Sequence, residues 1–134
     1  MNHLARSATG RLPWPVRRDH LWLMLDAGVR MVPGSNSGIP HTPPGSYPHS
    51  LSAYLDLGLT PAGVIDMATR LAADALRIGH LTGTLTAGLS ADLIAVPGDP
   101  TRGLDLLTTP ILTVADGHPH HPDTPPEAEE QPRP

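Results

Sequence analysis

A chain of 134 residues has room for one ordinary domain, or for a piece of a larger one, and its core is marginal at that size. It holds no Cys and no Lys, which excludes disulfides, thiolate metal sites, Schiff-base chemistry, a carbamylated lysine and a phosphate-cradling lysine. Its formal charge of −4 gives no basic field to attract a phosphate backbone, the Arg17-Arg18 pair notwithstanding, so no nucleic-acid partner is expected. With no Phe, two Trp and two Tyr, the core must be built from aliphatic side chains.

Residues 1–18 mix Ser7, Thr9, Gly10, Pro13 and Pro15 with scattered Arg and show no sustained period, so they read as a flexible lead-in. Asp19 is the expected N-cap of a helix through Leu21 and Leu25, and Gly28 sits where a helix ends in a left-handed residue. Leu21-Trp22-Leu23-Met24-Leu25 is too short for a signal-peptide core. No segment approaches the ~20 apolar residues that span a bilayer, and the reading is a soluble, cytoplasmic chain with no membrane partner.

Val29-Arg30-Met31-Val32 is a short β-prone run stopped by Pro33-Gly34. Helix, Gly, strand and polar loop follow in the order of an α/β unit. In such units ligands and catalytic groups collect at the C-terminal edge of the strands, which draws attention to the loop from Gly34 to Ser50. Leu51, Tyr54 and Leu55 predict a helix over 49–57, ended by Gly58. Thr60 as N-cap and Pro61 at the first helical position open a longer helix, expected to run as one piece to about Gly79. Its apolar stripe is Val64, Ala68, Leu71, Ala72 and Ala75, flanked by Ile65, Met67 and Leu76, which predicts broad packing.

Beyond Gly79 the texture changes to short β-type runs, Leu93-Ile94-Ala95-Val96 and Ile111-Leu112-Thr113-Val114, separated by Gly and Pro turns. Asp92 and Asp99 stand in turn contexts, where an Asp usually caps its own backbone. Residues 118–134 carry His118, His120 and His121 and then Pro, Glu and Asp without apolar anchors, a composition expected to stay disordered. In that setting the three histidines would bind Zn²⁺ or Ni²⁺ only adventitiously.

Several segments in order carry a resemblance: Gly28-Val29-Arg30-Met31-Val32-Pro33-Gly34-Ser35-Asn36-Ser37-Gly38, Gly58-Leu59-Thr60-Pro61, Ala68-Thr69, Gly83-Thr84-Leu85 with Gly88, Ala91-Asp92-Leu93-Ile94 and Gly98-Asp99-Pro100. From about His20 to Gly117 the chain resembles the amidohydrolase superfamily, in particular its imidazolonepropionase-like and prolidase-like members. The resemblance implies an α/β fold in which residues 19–79 are the last strand and closing helices of a (β/α)8 TIM-like barrel. Residues 80–117 would then return to a β-sandwich built from both chain ends. Such a barrel takes ~250 residues, so a truncated, C-terminal portion is expected. The family's His-x-His pair, its carbamylated Lys and its two further His have no matching motif.

The family position that this chain does cover falls at Asn36, where the resemblance implies an Asp that contacts the divalent, Zn-type metal and takes a proton from the attacking water. An amide oxygen can face a cation, but Asn36 cannot serve as a base near neutral pH. The metal is therefore not expected to be retained by this chain. By the same resemblance His41 and His49 lie beside the substrate mouth and are the candidate substrate-binding residues, although no carboxylate at ligand spacing accompanies them. Ser35 and Ser37 lack a His/acid pair to activate them.

The expected function is that of the C-terminal portion of a hydrolase of carbon–nitrogen bonds other than peptide bonds, inactive as a lone chain. The alternative is a non-enzymatic remnant or subunit that docks onto a partner carrying the rest of the barrel. A helix-turn-helix DNA binder built on residues 49–77 is a further alternative, but only Arg70 and Arg77 lie on its second helix.

Overall fold

The computed structural model describes residues 12–40 and 42–122. Positions 1–11, His41 and 123–134 lie outside the described residues. Four helices precede a small sheet: α1 (Trp14–Asp26), α2 (Tyr47–Leu51), α3 (Pro61–Ala68) and α4 (Arg70–Ala75), then β1 (Leu93–Ala95), β2 (Leu112–Ala115) and β3 (His118–His120).

α1 starts at Trp14, five residues before the expected Asp19 cap, so 14–18 are not a flexible lead-in. Pro13 occupies the N-cap and Pro15 lies in the first turn, where a missing N–H costs nothing; the first helical bond runs from the Arg17 amide to the Pro13 carbonyl at 3.1 Å. Its end follows the sequence closely. Gly28 takes φ +76, its amide bonds the Leu25 carbonyl and the Val29 amide bonds the Met24 carbonyl, both at 2.9 Å, which is the Schellman pairing that satisfies orphan carbonyls.

The predicted strand at Val29–Val32 does not form. The segment belongs to no regular element and has no neighbouring strand among the described residues, and a β-prone run without a partner makes no ladder. The predicted helix over 49–57 appears as α2 followed by a 3₁₀ helix over Ser52–Leu57, with Gly58 as its left-handed end. Thr60 and Pro61 begin α3 as predicted, with the Gly63 amide donating to Thr60 Oγ1 at 3.1 Å.

The long helix expected to reach Gly79 is broken at Thr69, which takes φ −123 and ψ −92. The Thr69 hydroxyl donates back to the Ile65 carbonyl at 2.7 Å, a back-bond that competes with the helical ladder and bends it. The second half ends at Leu76, and Arg77, not Gly79, takes the left-handed position at φ 62.

The core is small: Leu51, Tyr54, Leu57, Val64, Met67 and Leu104, with Val64 fully enclosed. Leu104 belongs to a 3₁₀ helix over Leu104–Thr108 that packs on α2, joining the helical half to the β half. The second half of the predicted apolar stripe is not buried, since Leu71, Ala75 and Leu76 remain exposed. α1 buries no residue fully; Leu21 and Leu25 lean on the core while Trp22 and Leu23 are 50% and 56% exposed.

The sheet is an antiparallel meander in the order β1-β2-β3, with Leu93 opposite Val114 and Ala115 opposite His118. β3 contradicts the expectation that disorder begins at residue 118. Asp116 and Gly117 form a two-residue hairpin loop with φ 49 and φ 79, the pair of positive φ values that a primed turn demands and that Asp-Gly supplies. Pro119 is tolerated because β3 is an edge strand.

Candidate functional site

The loop after residues 29–32 closes on itself. The Gly38 amide donates to the Thr42 carbonyl at 3.1 Å, the Thr42 amide donates to the Ile39 carbonyl at 3.0 Å, and Thr42 is buried. Asn36 stands at the turn with φ 50. Left-handed backbone is costly for most side chains, and Asn and Asp tolerate it because their short polar groups bond locally. Backbone geometry thus accounts for a residue of the Asn/Asp type here, whichever of the two supplies the chemistry. Ser35 and Ser37 pair with each other, Oγ to Oγ at 2.6 Å, and the Ser37 amide donates to Ser35 Oγ at 3.2 Å. Their hydroxyls organise the loop.

Of the two candidate histidines, His49 lies exposed in the last turn of α2, and His41 is outside the described residues. The residues present do not fit a resident metal. No three His, Asp or Glu side chains gather in a metal-holding group among the described residues, and Asn36 contributes one neutral amide oxygen where a divalent ion calls for several anionic or imidazole donors.

Asp92 does more than the expected capping of its own backbone. Its Oδ1 accepts from the Asp116 amide at 2.8 Å and its Oδ2 accepts from the Thr82 hydroxyl at 3.1 Å, so one carboxylate ties the loop before β1 to the β2–β3 turn. Nothing in the sequence pairs Asp92 with a residue 24 positions away. Asp99 conforms to expectation: Oδ1 accepts the Thr101 amide at 2.9 Å and its hydroxyl at 2.6 Å.

These bonds stabilise the ionised forms. The backbone bond from Asp116, then those from Ser90 and Thr82, hold the Asp92 carboxyl below its ordinary value of 3.8, and the Thr101 side-chain and backbone bonds do the same for Asp99. A depressed folded-state value contributes stability that is complete above the unfolded value and is lost as pH falls through the folded one. Asp92→Asn is therefore expected to lower the denaturation midpoint at neutral pH. The gap to the parent should start to narrow as pH falls below the ordinary value of 3.8 and close once pH has fallen through the lower folded-state value, where the folded parent's carboxylate is protonated too. Urea melts at a series of pH values read this directly, and a gap constant across the acid range would contradict it.

A groove of about 210 Å³ lies between the end of α1, residues 29–32 and the α3–α4 pair. Leu25, Val29, Met31, Leu59, Met67 and Leu71 make it mainly apolar, with Arg30 and Asp74 also lining it. None of Gly34–Gly38 lines this groove, so it is a packing surface beside the candidate loop and not its continuation.

Comparison with known proteins bears on what this arrangement belongs to. The model of the amidohydrolase family matches residues 15–120. Among solved structures, a Xaa-Pro dipeptidase with methionine bound in its active site is similar at 26% identity and a TM-score of 0.72, over 81% of this chain and 26% of that one. A protein from Bifidobacterium longum assigned as a prolidase is similar at 29% identity and a TM-score of 0.73, over 77% of this chain and 26% of that one. An amidohydrolase at 24% identity and a TM-score of 0.69 shares the fold, covering 81% of this chain and 26% of its own. No curated protein matches the chain. The chain thus spans about a quarter (26%) of the length of these structural relatives, and they are enzymes of the prolidase-like kind. A family match over most of the described residues, with the Gly34–Gly38 loop and the Gly83 and Asp92 segments inside it, establishes the relationship: this chain belongs to the amidohydrolase family.

Proposed function

We propose that the chain is the C-terminal portion of an amidohydrolase-type hydrolase of carbon–nitrogen bonds, and that it does not turn over substrate by itself. The single observation that carries this reading is the family match over 15–120 combined with Asn36 at the turn of the candidate loop. General acid–base catalysis is worth about 10²–10⁴-fold, and an amide side chain cannot supply it. Metal-bound water, the nucleophile of metal-dependent hydrolysis, needs a ligand cage that the described residues do not build. The expectation from sequence sets peptide bonds aside. The likeness to a Xaa-Pro dipeptidase and a prolidase favours including the amide on a proline nitrogen among the bonds to be assayed.

The test is hydrolysis of Xaa-Pro dipeptides and of acylated amino acids by the purified chain, with Zn²⁺ or Mn²⁺ added. No metal-dependent turnover is expected, and Asn36→Asp is expected to restore none, since a base without a metal-bound water has nothing to activate. Measurable metal-dependent hydrolysis by the parent chain would sink the inactivity claim.

A second reading, a non-enzymatic remnant or subunit that docks onto a chain carrying the remaining barrel strands, is favoured by a different observation. Trp22, Leu23 and Met24 on α1 and Val29, Val32 and Leu71 at the groove are exposed, and residues 29–32 lack a strand neighbour among the described residues. Sedimentation at micromolar concentration discriminates, because a well-behaved monomer with cooperative unfolding counts against a required partner. The helix-turn-helix reading gains no support: the Arg70 guanidinium on α4 is held by Asp66, with Nε donating at 2.8 Å, and lies within 3.6 Å of Asp74.

A further inference from the structure

β3 changes the chemistry of the histidine tract. In a disordered segment His118, His120 and His121 would be interchangeable donors. In a strand they are not, because successive side chains point to opposite faces and residues two apart share one. His118 and His120 lie on the same face of β3, opposite Ala115 and Thr113 of β2, while Pro119 lies on the other face and His121 follows the strand. Both imidazoles are exposed, and their cross-strand neighbours are small.

We propose that His118 and His120 form an open two-imidazole site for a divalent late transition-metal ion of the Zn²⁺, Ni²⁺ and Cu²⁺ class. Strand geometry sets their Cα atoms about 6.8 Å apart, a separation from which two imidazoles converge on one ion at metal–nitrogen distances of about 2.0–2.1 Å. A second observation supports the orientation. His118 Nδ1 lies 3.0 Å from the Asp116 carbonyl oxygen. That oxygen can only accept, so Nδ1 carries the proton and Nε2 presents its lone pair outward. A backbone carbonyl on the far nitrogen is the usual support of a metal-ligating histidine, because it fixes tautomer and ring orientation. Imidazole donors suit Zn²⁺, Ni²⁺ and Cu²⁺ over Mg²⁺ or Ca²⁺, and water completes the coordination. The site lies on the sheet, away from the Asn36 loop in the chain, and owes nothing to the hydrolase reading.

The experiment uses the full chain, titrated calorimetrically with Zn²⁺, Ni²⁺ and Cu²⁺, and with Cu²⁺ under electron paramagnetic resonance. One ion per chain is expected, tightest for Cu²⁺, with two nitrogen donors. His118→Ala and His120→Ala should each weaken binding by at least about tenfold, and His121→Ala should leave it unchanged. The decisive variant combines Pro119→His with His120→Ala. It keeps three histidines in the tract but moves the second imidazole across the strand, and it should lose as much affinity as His120→Ala alone. Far-UV circular dichroism checks that each variant keeps its fold. The proposal is overturned if the parent does not bind, if His121→Ala weakens binding equally, or if the combined variant binds like the parent, since the last two outcomes mean a flexible tract does the chelating.

Discussion

Gly83→Ala is expected to destabilise the chain by about 2–5 kcal/mol, from left-handed backbone strain and overpacking acting together. Gly83 takes φ +101, a region that L side chains rarely enter, and it lies directly against the start of α4. A Cβ there would sit 2.6 Å from the Ala73 Cβ and 3.3 Å from both the Arg70 Cα and the Thr69 carbonyl oxygen. None of those atoms is the free end of a flexible side chain. The Ala73 methyl has no torsion that moves it aside, so relief requires the backbone of α4 or of the following turn to shift. Gly88 supplies the control, since it has a similar φ of +94 and a methyl on its Cα would meet nothing within 4 Å. Gly88→Ala should carry the strain alone, about 1–2 kcal/mol. Urea denaturation of the two variants measures the contact by difference, and equal losses would show that the close approach at Gly83 contributes nothing.

Leu51→Ala should cost about 2–5 kcal/mol, the range for deleting a buried aliphatic side chain and leaving part of its volume empty. Leu51 is 3% exposed and clusters with Tyr54, Leu57, Val64, Met67 and Leu104. Since Leu104 comes from the β half, this cluster is where the two halves of the chain meet. A single domain has a total stability of about 5–15 kcal/mol, so the loss is a large share of it. The unfolding transition should shift as a whole, by fluorescence of Trp14 and Trp22 and by circular dichroism alike. Leu85→Ala, at a position 85% exposed, should stay within about 0.5 kcal/mol of the parent. If Leu51→Ala instead split the melt into two transitions, the helical and β halves would be separate cooperative units.

The candidate loop is legible in the sequence because its signals are local. Pro33-Gly34 stops the β-prone run and a polar Gly-Ser-Asn-Ser-Gly loop follows it, in which the structure gives Asn36 a left-handed backbone. Helix ends at Gly28 and Gly58 and the Thr60 cap depend on residues within five positions of one another, and the structure reproduces them. The third strand is equally local, carried by Asp116-Gly117, yet the polar composition after Gly117 outweighs that turn signal when the chain is read by composition. Composition describes what a segment can bury, whereas an edge strand needs only hydrogen bonds to its neighbour.

What the sequence by itself determined is the family, the helix ends at Gly28, Gly58 and Thr60, and an amide side chain at position 36, because each resides in residue identity and short spacing. Tertiary structure alone decided four other matters. It left Val29–Val32 unpaired among the described residues, since a strand exists only with a neighbour. It bent the long helix at Thr69, where a hydroxyl bonded back to Ile65. It set Asp92 across to Asp116, a bond between positions that no local pattern connects. And it placed His118 and His120 on one face of β3. The Val29–Val32 run and Asp92 depend on which distant backbone or side chain arrives within hydrogen-bonding reach, which packing fixes, whereas at Thr69 and β3 only the folded chain selects the short-range bond over the helix or coil that competes with it.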